Sequence, residues 1–188
     1  LIDVSRQSMA TPILGQESSM PLVIGPTGMM GMVHGDGEIH AARAAEAFGI
    51  PFCLSTVSIC SIEDVRGATS TPFWFQLYVM KDRSYTMELV DRAEAAGCPV
   101  LMMTVDIPVS GLRRRDPKNG LAVPPRLTLR NALDICTKPR WAWSVATGKR
   151  REFGNLTAAV SRTTGTTFAQ WLTSQFDASV TWKDLEAI

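Results

Sequence analysis

Four short hydrophobic runs, each beginning with a proline, alternate with more polar segments in the first part of the chain. They cover Pro21–Gly28, Pro51–Ser58, Pro72–Val79 and Pro99–Pro108. Uninterrupted apolar runs are typical of parallel strands that are buried on both faces of a sheet. Proline is tolerated at the first residue of such a strand. The pattern therefore predicts four parallel β-strands.

The segments between these runs carry helix signals. Asp36 is a candidate N-cap for a helix over residues 37–48, and Ser61–Asp64 has the sequence of a capping box. A third helix is predicted over residues 82–96, where apolar residues recur at helical spacing. Glycines follow the first and third helices, where they can end them. This alternation of strands and helices predicts an α/β fold with a parallel sheet.

The alternation stops after the fourth run. Residues 109–174 contain no comparable strand and read as a proline- and glycine-rich loop, with short helices at 127–136 and 167–176. Another helix begins over residues 182–188. A complete (β/α)8 barrel has eight strands and about 250 residues. Four strands therefore indicate either an open α/β domain or the first half of a barrel.

Polar residues stand at the carboxyl end of each predicted strand. In (β/α) barrels this end of the sheet carries the active site, because the loops that follow the strands converge there. We therefore expect the polar side chains at these four tips to lie near one another. They are Thr27, Ser55, Gln76 with Tyr78, and Thr104 with Asp106.

Composition narrows the functional classes. The net charge is +1 over 188 residues, which argues against a general polyanion binder, and no nucleic-acid-reading motif is present. The four cysteines show no metal-binding or CxxC spacing, and no cluster of histidine, cysteine and carboxylate residues has the spacing of metal ligands. We interpret the four cysteines as structural or incidental thiols, which fits a reducing compartment, and with no signal peptide visible this favours a cytoplasmic location. No apolar stretch is long enough to span a bilayer.

Four segments in one order carry a family resemblance: Pro26–Gly28, Leu54–Ser58, Phe75–Val79 and Thr104–Arg113. Together they resemble the FMN-dependent α-hydroxy-acid dehydrogenases and oxidases, and most of all the bacterial L-lactate dehydrogenases of that family. The resemblance implies a (β/α)8 TIM barrel of which residues 1–188 form part. The strands would occupy residues 21–108, a long basic and aromatic connection 109–174, and the start of the next helix 182–188. The similarity continues in Gly35–Glu38, Lys138–Trp143, Gly154-Asn155 and Phe176–Glu186.

The resemblance implies that the protein oxidises L-lactate, or a similar 2-hydroxy acid, to the 2-oxo acid. Hydride would pass to FMN, and electrons would then pass to a quinone or a cytochrome. A flavin ring needs a flat bed with a few fixed donors and acceptors at its polar edge. By resemblance, the residues that contact the cofactor are Pro26, Thr27, Gly28, Ser55, Gln76 and Thr104. Taken alone, each could instead be a buried polar residue or a turn glycine.

Two side chains are implied to hold the substrate and one to support the base. Tyr78 and Arg113 would bind the substrate carboxylate, which a guanidinium can grip with two hydrogen bonds. Asp106, as a buried carboxylate, would orient the catalytic histidine that removes the hydroxyl proton. Tyr78 and Asp106 are thus the catalytic candidates. The alternatives are a solvated basic turn at Arg113 and a structural turn carboxylate at Asp106.

The histidine motif of the family is absent, since the chain contains only His34 and His40, and neither position matches it. The family's flavin-supporting lysine, its second substrate-binding arginine and its phosphate-binding loops are also absent. We therefore expect these 188 residues to be part of a longer polypeptide, or to pair with a chain that supplies the second half-barrel. The chain alone is expected to be inactive, and a homo-oligomer is the expected state of the complete enzyme.

The connection after the fourth strand is basic. Between residues 113 and 152 the sequence has eleven lysines and arginines and three acids, with Trp141 and Trp143 among them. Basic residues with tryptophan suit an anionic membrane surface, although ordinary solvated loops have the same composition. Peripheral attachment to the inner face of the cell membrane would suit an enzyme that reduces a quinone.

Two other interpretations stay open. The same family contains mandelate dehydrogenases and glycolate or lactate oxidases, and the modest size of Val57 leaves room for a larger substrate. Alternatively, the chain is a catalytically incomplete fragment or an interaction module, because it lacks the base.

Overall fold

The computed structural model describes residues 2–106, 114–118, 128–161, 168–175 and 177–188. Within these residues the chain forms a small parallel sheet surrounded by helices, with an antiparallel hairpin before it. The predicted α/β class is therefore confirmed.

The sheet contains three parallel strands in the order β3 (Cys53–Ser55), β4 (Trp74–Tyr78) and β5 (Leu101–Thr104). A bridge between Ile24 and Phe52 extends it on the free side of β3. All four predicted strands lie where the hydrophobic runs stand, but each is shorter than predicted. The first is reduced to the single bridge at Ile24. The prolines that start the runs and the residues that follow the last ladder pairs, such as Val57 and Asp106, lie outside the ladder.

The helices surround this sheet, and a short hairpin precedes it. The hairpin and the helices before the connection are β1 (Thr11–Ile13), β2 (Gln16–Ser18), α1 (Met30–Val33), α2 (Gly37–Phe48), α3 (Ile62–Arg66) and α4 (Arg83–Ala95). The later helices are α5 (Arg115–Lys118), α6 (Leu129–Cys136), α7 (Pro139–Thr147), α8 (Thr157–Ser161), α9 (Phe168–Gln175) and α10 (Trp182–Ala187).

Local signals explain several of the helix starts. Helix α3 has the predicted capping box, in which the Ser61 hydroxyl and the Asp64 carboxylate each accept the other residue's backbone N–H. Helix α4 begins at Asp82, whose carboxylate accepts a hydrogen bond from the Tyr85 amide at 3.1 Å. Helix α2 has the predicted bounds, with Asp36 at its N-cap position, but the prediction that the Asp36 side chain caps the helix is wrong. Asp36 has a left-handed backbone with φ of 55°, and its carboxylate accepts from the amide of Lys149 instead, at 2.7 Å.

The core lies on both faces of β4. Trp74, Phe75 and Leu77 are almost fully buried, and so is Leu54 on the neighbouring strand. Each such side chain contributes about 1.5–3 kcal/mol to stability through the apolar surface it buries. Strand β5 is half-exposed, since it lies at the outer edge of the described sheet. The tips of β3 and β4 therefore have the more rigid support.

The connection after β5 differs from its predicted loop character, because residues 139–147 form helix α7. Proline breaks a helix interior but suits the first turn, where no amide hydrogen bond is lost, and Pro139 stands there. Helix α7 docks on the first βα unit through its polar side chains. The Trp141 indole donates to the carbonyl of Met32 at 3.0 Å, and Ser144 Oγ accepts from the amide of Gly35 at 2.9 Å.

The segment after α7 docks on α3 and on the loop before it. The amide of Gly154 donates to the carbonyl of Ile59 at 3.0 Å. A Cβ at position 154 would lie 2.7 Å from the nitrogen of Ser61 and 2.8 Å from the oxygen of Ile59, both of them backbone atoms. Glycine is therefore required for this close approach. Arg150 adds an ion pair with the buried carboxylate of Asp64.

Replacing this glycine should weaken the docking. Gly154→Ala is expected to lower the free energy of unfolding by about 1–3 kcal/mol, because backbone must move to admit the methyl group. The matched control is Gly25→Ala, where a Cβ would meet nothing within 4 Å and where we expect a change below about 1 kcal/mol. Denaturant unfolding of the purified protein measures both. Equal stability of the two variants would contradict the tight docking.

The Asp64 ion pair should make stability depend on pH. Burial raises the pKa of this carboxyl, but hydrogen bonds from Arg150, the Ser61 amide and Lys149 outweigh it and lower the pKa from 3.8 to about 2. A lowered pKa in the folded state gives stability that is present above about pH 4 and is lost as the pH falls towards 2. Relative to Asp64→Asn, the wild-type protein should therefore lose its advantage across this range in urea unfolding. Arg150→Met should remove much of the same advantage, and a wild-type advantage unchanged between pH 5 and pH 2 would disprove the assignment.

Candidate functional site

The strand register brings polar tips of the three strands to one edge of the sheet. Ser55 on β3 is paired with Gln76 on β4, and Tyr78 at the end of β4 is paired with Thr104 at the end of β5. Because the three strands are parallel and adjacent, their carboxyl ends share this edge. The structure therefore assembles these four sequence-predicted site residues.

The side-chain amide of Gln76 is fixed in one orientation. Its Oε1 accepts hydrogen bonds from the hydroxyl of Ser55 at 3.1 Å and from the backbone N–H of Thr56 at 3.3 Å. A backbone N–H can only donate, so the atom that faces it must be the amide oxygen. The Nε2 group is consequently turned away from these donors. It is buried and has no hydrogen-bond partner among the residues that the structure describes.

Thr56 is a structural member of the site that the sequence analysis did not single out. Its buried hydroxyl donates to the carbonyl of Gln76 at 2.6 Å and accepts from the amide of Tyr78 at 3.2 Å. These bonds hold the residue after β3 against β4 beyond the last ladder pair. Its sign in the sequence is a hydroxyl one residue after Ser55, within the segment Leu54–Ser58 that carries the family resemblance.

The tip of the first strand lies against the loop after β3. A Cβ on Gly28 would lie 2.7 Å from Cγ2 of Val57, and the amide of Met29 donates to the carbonyl of Val57 at 3.0 Å. Glycine at position 28 therefore makes room for Val57, in addition to any ligand. The neighbouring Pro26 is half-buried and Thr27 is exposed.

Asp106 is exposed, so the prediction of a buried carboxylate at this strand tip is wrong. The residue stands two positions after the end of β5, and β5 is itself half-exposed at the edge of the described sheet. Thr104 is half-buried. Arg113 lies outside the described residues. The two histidines are exposed, with His34 at the end of α1 and His40 on α2.

A buried carboxylate on α2 also supports the loop after β3. Glu38 is fully buried, and its Oε1 accepts from the amides of Ile59 at 2.9 Å and Gly31 at 3.2 Å. Burial raises the pKa of the neighbouring Cys60 thiol to about 12, and the carboxylate of Glu38 adds to the rise. This thiol is therefore protonated and unreactive at neutral pH, as a structural cysteine should be.

A second buried side chain, from a later part of the sequence, supports the same loop. Asn155, in the segment after α7, is fully buried. Its Nδ2 donates to Ser58 Oγ at 3.0 Å, and its Oδ1 accepts from the amide of Ile62 at 2.9 Å. The loop between β3 and α3 is thus held by two distant parts of the chain. In the sequence Asn155 carried no chemical role and appeared only within a resemblance segment.

The chain matches a known protein family and known relatives in sequence. The sequence model of the family described as FMN-dependent dehydrogenase matches residues 1–188, the whole chain. An L-lactate dehydrogenase of Ectopseudomonas mendocina is 46% identical over 190 residues, and one of Caulobacter vibrioides is 44% identical over 190 residues. Each alignment covers 100% of this chain but 50% and 49% of the respective relative. The chain therefore spans about half the length of the curated relatives it matches.

Solved structures agree with the sequence matches. The monotopic membrane protein (S)-mandelate dehydrogenase aligns with a TM-score of 0.86 at 37% identity, over 100% of this chain and 50% of that one. A soluble mutant of the membrane-associated (S)-mandelate dehydrogenase from Pseudomonas putida aligns with a TM-score of 0.70 at 36% identity, over 100% of this chain and 46% of that one. The fold prediction, part of a (β/α)8 barrel, is confirmed, and the chain belongs to the FMN-dependent dehydrogenase family.

Proposed function

We propose that the protein oxidises L-lactate to pyruvate and uses FMN as its cofactor. The observation that carries this proposal is the buried Nε2 donor of Gln76 at the shared strand tips, which has no hydrogen-bond partner within the described parts of the chain. An unpaired buried donor costs about 1–3 kcal/mol unless a ligand accepts its hydrogen bond. The identity to curated L-lactate dehydrogenases supports lactate as the substrate.

The residues at the strand tips suit a flavin ring. Gln76 would donate to an acceptor on the polar edge of the ring, while Ser55 and Thr104 offer hydroxyls at the same edge of the sheet. The backbone from Pro26 to Gly28 would lie along the ring. When bound, FMN accepts a hydride from the α-carbon of the substrate. The chain's own task is to hold the ring and the substrate in reacting positions.

Substrate binding is assigned to the outer part of the same edge. Tyr78 at the end of β4 would donate its phenol hydrogen to the substrate carboxylate, and Arg113 would pair with the same group. The hydroxyl proton of the substrate needs a base, and we propose a histidine from the part of the protein beyond these 188 residues. Asp106, exposed at the start of the connection, would orient that histidine.

Mandelate is the second candidate substrate, because the structural neighbours named above are mandelate dehydrogenases. The half-buried Val57, which contacts the tip of the first strand, is the residue whose size would set the room beside the ring. A panel of lactate, glycolate and mandelate, assayed with full-length protein with and without oxygen, separates dehydrogenase from oxidase and ranks the substrates. Anaerobic turnover with a soluble quinone or with cytochrome c separates the two classes of electron acceptor.

We further propose that α6 and α7 attach the protein to an anionic membrane surface as a peripheral contact. Leu129 and Leu133 stand one helical turn apart on α6 and are largely exposed, as is Trp143 on α7. Arg140 adds positive charge beside them, whereas the ammonium of Lys138 pairs with Asp134. Among the described residues, no helix is long and apolar enough to cross a bilayer. Exposed apolar side chains with nearby bases suit binding within the interface.

The cofactor assignment predicts a specific effect of Gln76→Glu. The new carboxylate keeps an acceptor for Ser55 and Thr56 but removes the Nε2 donor, so FMN should bind at least about tenfold more weakly. Fluorescence titration of full-length apoprotein with FMN measures this. The matched control is Gln7→Glu, the same substitution at an exposed position, which should leave FMN binding unchanged.

The wild-type protein in the same experiment tests the activity itself. Anaerobic addition of L-lactate should bleach the visible absorbance of the bound flavin. If the full-length protein binds no FMN, or if Gln76→Glu binds FMN as tightly as the wild type, the proposed site is wrong. If FMN binds but no 2-hydroxy acid bleaches it, the proposed reaction is wrong.

The membrane proposal predicts that a triple substitution, Leu129→Ser with Leu133→Ser and Trp143→Ser, releases the protein from vesicles. Loss of three interfacial apolar side chains should lower the affinity at least about tenfold for vesicles that contain phosphatidylglycerol, as measured by sedimentation. The control is Phe48→Ser, an equally exposed apolar residue at the far end of α2. Unreduced sedimentation of the triple variant would rule out this surface.

A further inference from the structure

Asn155 connects the segment after α7 to the loop that carries Ser55, about 100 residues earlier in the sequence. We propose that Asn155 is a positioning residue for the flavin site, which sets Ser55 and, through Ser55, the orientation of the Gln76 amide. This inference rests on the proposed FMN site and extends it to a residue that touches neither the ring nor the substrate.

The donor side of Asn155 reaches the loop directly after β3. Its Nδ2 donates to the hydroxyl oxygen of Ser58 at 3.0 Å and to the carbonyl of Ser55 at 3.4 Å. Ser58 in turn donates to the carbonyl of Cys60 at 2.7 Å. Ser55, Ser58 and Asn155 are all nearly or fully buried, so water cannot replace these bonds cheaply.

The two oxygen atoms of Asn155 accept hydrogen bonds from other elements. Its Oδ1 accepts from the amide of Ile62 at 2.9 Å, in the first turn of α3, and from Arg92 Nη2 at 3.3 Å on α4. Its backbone carbonyl accepts from the hydroxyl of Tyr85 and from Arg92. These contacts join α3, α4 and the connection, and they would serve stability in any protein with this fold.

The hydrogen bonds that Asn155 donates would serve a positioning role, and those that it accepts would serve a structural role. Ser55 is tied by its carbonyl to Asn155, while its hydroxyl donates to Oε1 of Gln76 at 3.1 Å and accepts from the amide of Val57 at 3.3 Å. A displaced Ser55 would release one of the two donors that fix the Gln76 amide. The unpartnered Nε2 would then lose its defined direction, and a ligand acceptor would meet a mobile donor.

The decisive substitution is Asn155→Asp in the full-length protein. Aspartate keeps the acceptor for Ile62 and gains attraction to Arg92, but it cannot donate to Ser55 or Ser58. We expect a moderate loss of thermal stability, because two buried acceptors lose their donor, while the protein stays folded. In the apoprotein, hydrogen exchange of the Thr56 and Val57 amides should be about five- to tenfold faster, with Ile62 still protected. FMN binding should weaken by a similar factor, and the flavin reduction potential should shift.

Two further variants complete the test. Asn131→Asp is the matched control, since it makes the same change on α6, and all these readouts should stay at wild-type values. Ser58→Ala removes one acceptor of Nδ2 without adding a charge, and it should change the exchange of Thr56 and Val57 and the FMN affinity in the same direction. An effect of Asn155→Asp that Ser58→Ala does not share would belong to the new charge and would overturn the proposal.

The remaining outcomes are also decisive. If Asn155→Asp is destabilised while its folded fraction binds FMN with wild-type affinity and potential, the residue is structural and the proposal fails. If Asn155→Asp does not fold, Ser58→Ala alone decides by the same readouts. Failure of wild-type protein to bind FMN would instead refute the proposed function, which keeps the two failures apart.

Discussion

The site depends on one small set of buried hydrogen bonds at the junction of β3 and β4. The Gln76 amide oxygen accepts from Ser55 and from the Thr56 amide, and the Thr56 hydroxyl bridges back to the carbonyl of Gln76. In a dry environment each of these polar groups must find a partner, so alternative arrangements of the two tips are costly. The Nε2 group of Gln76 is the donor of this arrangement that finds no partner in the part of the chain that the structure describes. The half-buried edge strand β5 could not hold its own polar side chains in one arrangement in the same way.

Sequence patterns predicted the parts of the fold that depend on local chemistry. Continuous apolar runs located the strands, and Ser61 with Asp64 located the start of α3, because capping and burial are properties of short segments. The prediction that the Asp36 side chain caps α2 failed because a distant contact, and not a local one, determines where this side chain binds. Its carboxylate binds the amide of Lys149, 113 residues away, and no local pattern announces a partner at that distance. Tertiary contact outweighed local propensity at this position.

The candidate site residues show the same difference between local and distant determinants. Ser55, Gln76, Tyr78 and Thr104 were predicted from their place at strand tips, since register follows once strands are parallel and adjacent. Thr56 and Asn155 were not, because a threonine or asparagine in a loop has many equally plausible partners. Asp106 was expected to be buried because it stands at the end of a predicted strand. The expectation failed because burial depends on neighbouring strands and not on position within a strand.

The connection after β5 has two faces with different physical tasks. Its inner face docks on the site-bearing units through Trp141, Ser144 and Asn155, each of which satisfies backbone groups of the first two βα units. Its outer face exposes Leu129 and Trp143. A surface that binds lipid must tolerate variation in its surroundings, whereas a flavin site requires fixed donors. The close packing at Gly154 and the fully hydrogen-bonded side chain of Asn155 add to these rigid contacts, which leaves the exposed side chains of α6 and α7 available for the proposed membrane contact.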